Sequence, residues 1–347
     1  MEAAVFHGTG DIRLDDRHEP GAGPDNLLVD VTYCAICGSD LKLLLRGNPR
    51  FKAGRIIGHE MVGMVAHVGE QLDGVEVSDR VTLATTIGCG ECRYCGLGRS
   101  NLCEDAIRIG SDYDGAFAAR ILVPGIALRN GNVVRVPDDV PDEAAALSEP
   151  LSCAVNAQTL AGVSEGDTVL VVGGGPLGAL HSQVARAKGA EKVMIVQRSE
   201  PRLSLLKGLE GVTVIDGKKG DLAERVSDET GGLGVDVLMI CAPSKEAHEQ
   251  SVNLVRKGGT VSLFASLPRG ESDVTWNSRT IHYGEIRVMG SSDSRPEHVR
   301  EAVRLLAEGQ VDTAPIVTHK MPLSEIHSGF ELMKAKECLK VLIQPGA

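Results

Sequence analysis

Short apolar stretches separated by turn residues mark the first part of the chain. Residues 26–32, 61–68 and 80–83 are such stretches, and clusters of glycine, proline and aspartate lie at 21–24 and 73–74. Short apolar runs bounded by these turn residues are typical of β-strands. The pattern therefore predicts a β-rich, loop-rich domain over residues 1–148.

Strand-like and helix-like patterns alternate along the middle of the chain. The strand patterns are at 168–172, 192–196, 212–215, 235–240, 260–264 and 286–289. Helical patterns lie between several of them, at 177–188, 221–229 and 245–256. Alternation of this kind is typical of a doubly wound parallel sheet. We therefore expect an α/β domain over residues 149–292.

The pattern changes again in the last segment, residues 293–347. Two amphipathic helices are indicated at 296–308 and 323–335, each with a proline at or near its start, and a strand follows at 339–343. This segment need not belong to the parallel-sheet domain.

Composition narrows the functional classes. The 347 residues, 42% hydrophobic and 24% charged, fit a globular protein of two domains. The net charge of -11, with no block of lysine and arginine, argues against a nucleic-acid partner. No signal peptide is evident, and no apolar run reaches the ~18 residues of a membrane helix. We therefore expect a cytoplasmic protein without a membrane partner.

Four of the nine cysteines lie within fifteen residues, among several glycines that let the backbone curl around one ion. They are Cys89, Cys92, Cys95 and Cys103. Four thiolates at such spacing favour a tetrahedral zinc with no open position, which is a structural site. Iron–sulfur ligation also uses close cysteines, but the compact loop without apolar padding favours zinc.

A second set of possible metal ligands is dispersed along the first domain. It comprises Cys37 in Cys-Gly-Ser-Asp, the adjacent pair His59 and Glu60, and Glu149 before a proline. One thiolate, one imidazole and two carboxylates form the mixed donor set that suits a catalytic zinc. Taken singly, each residue is weak evidence, because a lone buried cysteine or histidine is more often part of a core.

A glycine fingerprint follows the apolar strand pattern at 168–172 and opens the helical pattern after it. In this context the glycines allow a tight turn and close approach of a pyrophosphate, which the N-terminus of the helix then binds. A proline in the first helical turn costs no hydrogen bond. The predicted cofactor residues here are Gly173, Gly175, Pro176, Leu177 and Gly178.

The end of the next predicted strand favours NADP over NAD. An NAD site places an acidic residue roughly 20 positions past the fingerprint. This chain has Gln197 there, followed by Arg198, Ser199 and Arg202. These neutral and basic side chains suit the 2'-phosphate of NADP, which a carboxylate would repel. A shifted loop could instead bring Glu200 to the ribose.

Together these motifs, over essentially the whole chain, resemble those of the zinc-containing medium-chain dehydrogenases. Glu149-Pro150-Leu151 stands where liver-type alcohol dehydrogenases carry a ligand cysteine, so the resemblance is closest to the sorbitol/polyol dehydrogenase branch. It implies a GroES-like β-rich catalytic domain holding both zinc sites. It further implies a Rossmann nucleotide-binding domain and a C-terminal segment that returns to the catalytic domain.

The resemblance also implies roles for individual residues. Cys37 and His59 should bind the catalytic zinc directly, while Glu60 and Glu149 are alternatives for the third protein ligand. Ser39 should relay the proton of the substrate hydroxyl.

Lys42 stands where many relatives carry a histidine that passes this proton to solvent. If burial lowers its pKa, the lysine could carry the proton; it could also bind a substrate carboxylate or phosphate, or only face solvent.

The expected function is hydride transfer between NADP(H), or NAD(H), and a secondary alcohol or ketone, such as a polyol, cyclitol or aminocyclitol. An amino or phosphorylated alcohol, of the threonine or sugar-alcohol-phosphate type, is the alternative. A non-enzymatic zinc-ribbon module would need a basic face around the cysteines, which the balanced charges of the loop do not provide. A homo-oligomer, dimer or tetramer, with two zinc ions per chain is implied by the resemblance.

Overall fold

The computed structural model describes residues 1–346. Within them the chain forms two compact units. The first comprises Met1–Ser152, Asp293–Gly309 and residues 317–346, and the second comprises Cys153–Ser292 and Gln310–Ile316. No helix in the described part of the chain is long and apolar enough to cross a bilayer.

The first unit is built mainly of β-strands. Numbered in chain order, they are β1 (Glu2–Gly8), β2 (Asp11–Asp16), β3 (Asn26–Ala35), β4 (Arg55–Ile56), β5 (Glu60–Val68), β6 (Arg80–Leu83), β7 (Thr86–Ile87), β8 (Ile107–Arg108), β9 (Arg120–Pro124), β10 (Val133–Arg135), β17 (Val317–Pro322) and β18 (Lys340–Gln344). The largest sheet has the order β10-β6-β5-β3-β18-β17, and β9 also pairs with β3. A second sheet has the order β2-β1-β4, and β7 pairs with β8.

Strand β3 organises this unit because it pairs with three others. The first half of β3 pairs antiparallel with β9, and nearly the whole of β3 pairs antiparallel with β5. The end of β3, at Cys34 and Ala35, pairs antiparallel with β18. The inward side chains of these strands are apolar and buried, so they form one continuous core. Residues more than 300 positions apart are thereby brought together at the end of β3.

The helices of the first unit are short, and one of them continues into the second unit. They are α1 (Gly38–Arg46), α2 (Arg93–Gly96), α3 (Gly125–Arg129), α4 (Asp142–Ala145), α5 (Ser148–Ala161), α11 (Pro296–Ala307) and α12 (Ile326–Ala335). Single 3-10 turns lie at Ser100–Leu102 and Leu323–Glu325. The helix predicted at 323–335 is therefore a 3-10 turn followed by an α-helix.

The second unit is a six-stranded sheet in which every pair of neighbouring strands is parallel. Its elements are β11 (Thr168–Val172), α6 (Pro176–Ala187), β12 (Lys192–Gln197), α7 (Glu200–Leu206), β13 (Thr213–Asp216), α8 (Leu222–Glu229), β14 (Val235–Ile240), α9 (Lys245–Gln250), β15 (Val255–Leu263), α10 (Ser278–Gly284) and β16 (Arg287–Gly290). The order β13-β12-β11-β14-β15-β16 is the 3-2-1-4-5-6 arrangement of dinucleotide-binding folds. The predicted α/β fold is confirmed.

The helix predicted over 245–256 is wrong in its second half. Helix α9 ends at Gln250, a 3-10 turn spans Ser251–Asn253, and β15 begins at Val255. The carbonyl oxygen of His248 accepts hydrogen bonds from side chains instead of a further helical turn. Apolar residues on both sides of this junction are buried, so hydrophobic periodicity could not separate helix from strand.

Candidate functional site

The thiol of Cys37 lies at the N-terminus of α1. Its Sγ accepts a hydrogen bond from the backbone N–H of Ser39 at 3.5 Å, while Oδ2 of Asp40 accepts one from the N–H of Cys37 at 2.9 Å. This reciprocal capping satisfies two N–H groups that the first turn would otherwise leave unpaired. Burial and the charge of Glu60 raise the pKa of the Cys37 thiol, while His59 opposes the rise.

His59 and Glu60 follow a turn at Gly58 whose backbone conformation only glycine permits. Gly58 has φ +96°, and a Cβ there would lie 2.8 Å from the ring of Phe117. The buried ring therefore packs directly against the backbone just before His59. Glu60 then begins β5 with its side chain fully buried.

Cys37, His59 and Glu60 form one compact group. One ligand atom from each, a sulfur, a ring nitrogen and a carboxylate oxygen, lies within 4.8 Å of the others. Asp40 supports the group from behind, since its Oδ1 is 3.7 Å from Nδ1 of His59. A buried carboxylate on one ring nitrogen of a histidine leaves the other nitrogen to act as a metal ligand.

Lys340, in β18, forms an ion pair with Glu60, and both side chains are fully buried. Its Nζ donates to Oε2 of Glu60 and also to the carbonyl oxygen of Ile36, at 3.3 Å. The other carboxylate oxygen, Oε1, is buried and has no hydrogen-bond partner in the described chain. Lys340 thus balances the negative charge at the group, while one oxygen of Glu60 stays available for a cation.

Glu149, in the first turn of α5, is buried as well, but it belongs to a different group of acidic side chains. Its carboxylate lies within 4.8 Å of that of Asp293. Burial is the main cause that raises the pKa of Glu149 to about 7; Glu60 and Asp293 add to the rise, and His59 opposes it. The geometry therefore groups Glu60, and not Glu149, with Cys37 and His59, although Glu149 feels the charge of the imidazole.

The two predicted relay residues lie on α1, and both are exposed. The hydroxyl oxygen of Ser39 is 3.5 Å from Nε2 of His59, so it adjoins the candidate metal group. Lys42 lies about one turn further along and, within residues 1–346, makes no hydrogen bond or ion pair. The structure brings Ser39 to the site but leaves the ammonium group of Lys42 in solvent.

The four predicted cysteines of the second metal site also come together, with all four sulfurs within 4.8 Å of one another. Two of the Sγ–Sγ separations are 4.0 Å and 3.7 Å. A tetrahedral zinc with Zn–S bonds of ~2.3 Å requires sulfur separations of about 3.8 Å. Backbone N–H groups of the loop lower the pKa of Cys89 to about 7, whereas burial raises the pKa of Cys95 to about 12 and also raises that of Cys103. The loop fits a four-thiolate zinc.

The glycine fingerprint lies between β11 and α6. Gly175 caps the helix and Pro176 occupies its first turn, followed by Leu177. A Cβ at Gly178 would collide with the carbonyl oxygen of Gly173, so the turn closes only with glycine there. The backbone N–H groups of Gly173 and Gly174 donate to the carbonyl oxygen of Val196. The N-terminus of α6 therefore remains the predicted position for a pyrophosphate.

The end of β12 carries no carboxylate. Oε1 of Gln197 accepts hydrogen bonds from the backbone N–H groups of Arg198 and Ser199, at 2.7 Å and 2.9 Å. The guanidinium of Arg202 lies 3.5 Å from the position a Cβ of Gly175 would take. Arg198 itself forms an exposed ion pair with Glu246, at 3.2 Å.

Asp216 is the carboxylate that sequence reasoning missed here. It ends β13, directly opposite Gln197 in the parallel register. Hydrogen bonding from the backbone N–H of Lys218, supported by the side chain of Lys219, lowers the pKa of Asp216. The negative charge of Asp216 is therefore stabilised by hydrogen bonds from its own loop.

Comparisons with known proteins agree with this geometry. Residues 23–138 match the family model of an alcohol dehydrogenase GroES-like domain, and residues 176–308 match that of a zinc-binding dehydrogenase. The chain is 35% identical over 345 residues to a sorbitol dehydrogenase of Halalkalibacterium halodurans, covering 98% of this chain and 97% of the relative. The chain belongs to the zinc-binding medium-chain dehydrogenases.

Other relatives of this dehydrogenase differ in their substrates. It is 36% identical to an L-threonine 3-dehydrogenase of Pyrococcus abyssi, over 99% of this chain and 97% of the relative. It is 34% identical to a D-arabitol-phosphate dehydrogenase of Enterococcus avium, over 97% and 95% of the two chains. The predicted family and the prediction of an NAD(P)-dependent alcohol dehydrogenase are confirmed, while the substrate differs among relatives of equal similarity.

Solved structures support the same assignment for this dehydrogenase. A zinc-binding dehydrogenase of Sinorhizobium meliloti, solved bound to NADP, has a TM-score of 0.92 and 32% identity, with 99% of each chain covered. A 2R,3R-butanediol dehydrogenase of Bacillus subtilis has a TM-score of 0.90 and 27% identity, again with 99% of each chain covered. The predicted GroES-like and Rossmann parts are confirmed.

Sequence reasoning missed two residues at the candidate metal group of this dehydrogenase. Asp40 was part of a recognised motif but received no role, although it contacts both Cys37 and His59. The sequence offers one indication of a role for Lys340, since this lysine lies in a mainly apolar strand. A charge at such a position is rare unless it has a buried partner.

Proposed function

We propose that this protein is a zinc-dependent dehydrogenase that transfers a hydride between NADP(H) and the carbinol carbon of a polyol, cyclitol or aminocyclitol. The grouping of Cys37, His59 and Glu60 within 4.8 Å carries the proposal. The similarity to a sorbitol dehydrogenase supports the substrate class. A test is to screen polyols and the matching ketones for oxidation or reduction with each nicotinamide cofactor.

The residues at the first group fit a catalytic zinc. Cys37, His59 and Glu60 supply sulfur, nitrogen and oxygen donors, and the unpaired buried oxygen of Glu60 lacks the partner that a cation would provide. When bound, zinc acts as a Lewis acid that makes an alcohol hydroxyl more acidic. In this proposal Glu149 stays outside the first set of ligands, and the four-cysteine loop holds a second, structural zinc.

The chain's own residues then handle the proton and the orientation of the ligands. Asp40 holds the imidazole of His59 in place and Lys340 fixes the carboxylate of Glu60. The exposed hydroxyl of Ser39, next to the imidazole, takes the proton that the substrate releases and passes it toward solvent.

The preference for NADP is proposed from the end of β12. Gln197 offers no negative charge to the ribose, and the carboxylate of Asp216 is already held by its own loop. Arg198 and Arg202 would supply the positive charge for a 2'-phosphate, which guanidinium groups bind through several hydrogen bonds. The similarity to a structure solved with NADP supports this preference.

The substitution Arg198→Ala should weaken NADPH binding by about tenfold to a hundredfold, because a charge-assisted hydrogen bond to phosphate is lost. NADH binding should stay within about twofold, since NADH has no 2'-phosphate. Titration of nicotinamide fluorescence gives both dissociation constants.

Glu246→Gln is the matched comparison, because Glu246 competes with phosphate for the guanidinium of Arg198. This variant should bind NADPH more tightly than the unmodified protein. If NADH binds better than NADPH to the unmodified chain, the assignment of NADP is wrong, although the dehydrogenase remains.

A phosphorylated or amino alcohol is the second candidate for the substrate. The similarity to a D-arabitol-phosphate dehydrogenase and an L-threonine 3-dehydrogenase favours it. Lys42 supports it too, since its ammonium group is exposed and unpaired about one turn from Ser39. The ammonium group of a lysine can bind a substrate carboxylate or phosphate.

Lys42→Ala distinguishes the two candidates. With a phosphorylated or carboxylated alcohol, we expect KM to rise about tenfold while kcat stays nearly constant, because binding is lost without loss of chemistry. With an uncharged polyol, neither constant should change. Should kcat fall instead and its pH profile shift, Lys42 carries the proton, and the role in binding is excluded. Arg46→Ala, at the other end of α1, is the control.

Assembly into a homo-oligomer is proposed from the edge of the parallel sheet. Strand β16 is the last of the six and pairs only with β15 within the described chain. Its other edge offers backbone N–H and C=O groups, which readily pair with a second copy of the same strand.

A further inference from the structure

A cavity of about 260 Å³ lies in the first unit beside the β2-β1-β4 sheet, and it shares no lining residue with the two metal groups. The side chains that line it include Arg17, His18, Arg55 and Arg120. Asp114 is the one carboxylate among the lining residues. In a chain of net charge -11, the lining of this cavity has more cationic than anionic side chains.

The three guanidinium groups differ in how far their charge is already neutralised. Arg120 pairs with Asp30 and Glu19, each at 2.7 Å, so it has little capacity for a ligand. Arg17, in contrast, donates to a backbone carbonyl oxygen, that of Gly54, at 2.8 Å, and meets no carboxylate. Its charge is therefore available to an anion.

The guanidinium group of Arg55 has partners for only some of its hydrogen-bond donors. Its Nη1 donates to Oδ1 of Asp114 at 3.1 Å, and the same oxygen accepts a hydrogen bond from the N–H of Ile56. Its Nε is buried and has no acceptor in the described chain. Buried guanidinium donors normally have partners, so this side chain is held in place while part of its hydrogen-bonding capacity is unused.

We propose that this cavity binds the phosphate group of a small molecule. Arg17 and Arg55 would supply the charge-assisted hydrogen bonds, and His18 and the hydroxyl of Tyr113 further donors. The cavity is much larger than the ~10–15 Å³ that one water requires, so a phosphate carrying an organic substituent fits. Ile56 and Leu122 provide an apolar wall for that substituent.

This site is separate from the cofactor phosphates, which the proposal above assigns to the second unit. It also has a structural link to the candidate metal group. The backbone N–H of Gly115 donates to the carbonyl oxygen of Ile56 in β4, and that of Ala116 donates to the carbonyl oxygen of Gly58, which directly precedes His59. A ligand at Arg55 and Asp114 would therefore bind beside the hydrogen-bonded segment that leads to His59.

Isothermal titration calorimetry of the zinc-loaded, full-length protein with inorganic phosphate, in the presence of saturating NADPH, tests the proposal. We expect one phosphate per chain with a millimolar or lower dissociation constant. Arg17→Ala should weaken this binding at least tenfold, and Arg55→Gln should do so too if its melting temperature is unchanged.

Arg13→Ala is the matched control, because Arg13 lies on β2, is exposed, pairs with Asp11 and does not line the cavity. It should bind phosphate as the unmodified protein does. Absence of binding at 10 mM phosphate, or binding that Arg17→Ala leaves unchanged, overturns the proposal. Arg198→Ala, on the cofactor site, should not alter the phosphate isotherm, and a loss in that variant would assign the binding to the nucleotide site instead.

Discussion

Replacing Cys37 with serine should lower kcat by about a thousandfold or more and reduce the zinc content from two ions per chain to one. The thiolate at the N-terminus of α1 is the one soft donor in the proposed catalytic group, and a hydroxyl replaces it poorly. Loss of a Lewis acid that contributes several kcal/mol to the transition state accounts for a rate effect of this size. Steady-state kinetics and elemental analysis of the same preparation measure both effects.

Cys241→Ser is the control for this substitution, because Cys241 lies in the second unit and belongs to neither group of potential metal ligands. It should keep both zinc ions and its activity. Retention of two zinc ions and activity within about threefold in Cys37→Ser would place the catalytic metal elsewhere and contradict the proposed site.

Lys340→Met should destabilise the zinc-free protein by roughly 3–5 kcal/mol, because it leaves the carboxylate of Glu60 buried without its counter-charge. Both side chains are 0% exposed, so water cannot compensate for the loss. Chemical denaturation followed by circular dichroism gives the change in the free energy of unfolding.

Two further variants separate this effect from a general loss of lysine. Lys320 lies on the neighbouring strand β17 and pairs with Glu143 at the surface, so Lys320→Met should cost less than about 1 kcal/mol. The double variant Lys340→Met with Glu60→Gln should recover much of the lost stability, since no buried charge remains unpaired. If Lys340→Met alone is as stable as Lys320→Met, the buried pair does not support the site.

The parallel sheet was predictable because its strands are buried on both faces and appear as continuous apolar runs. Strand patterns at 168–172 and 235–240 coincide with β11 and β14. The two-residue strands β4, β7 and β8 could not be predicted, because a pair of residues has no measurable period. The junction after α9 failed for a different reason, since side chains bonded to His248 end that helix.

At the candidate site, the sequence predicted the side chains that belong to local motifs. It did not predict the partners that come from distant parts of the chain. Cys37, His59 and the four close cysteines belong to recognisable motifs, and each motif carries its own turn or cap. The competition between Glu60 and Glu149 could not be decided from the sequence. Lys340 pairs with Glu60 although 280 positions separate the two residues, so no local pattern could indicate this contact.

That separation has a consequence for the way the protein is made. At about 5–20 residues per second, a ribosome needs roughly 15–55 seconds to reach Lys340 after it has added Glu60. Throughout this time the nascent chain lacks the ammonium group for its buried carboxylate, and the end of β3 lacks its partner β18. Synthesis of the first unit therefore begins before that of the second unit and ends after it. We expect molecular chaperones to shield the open sheet edge of this chain during that interval.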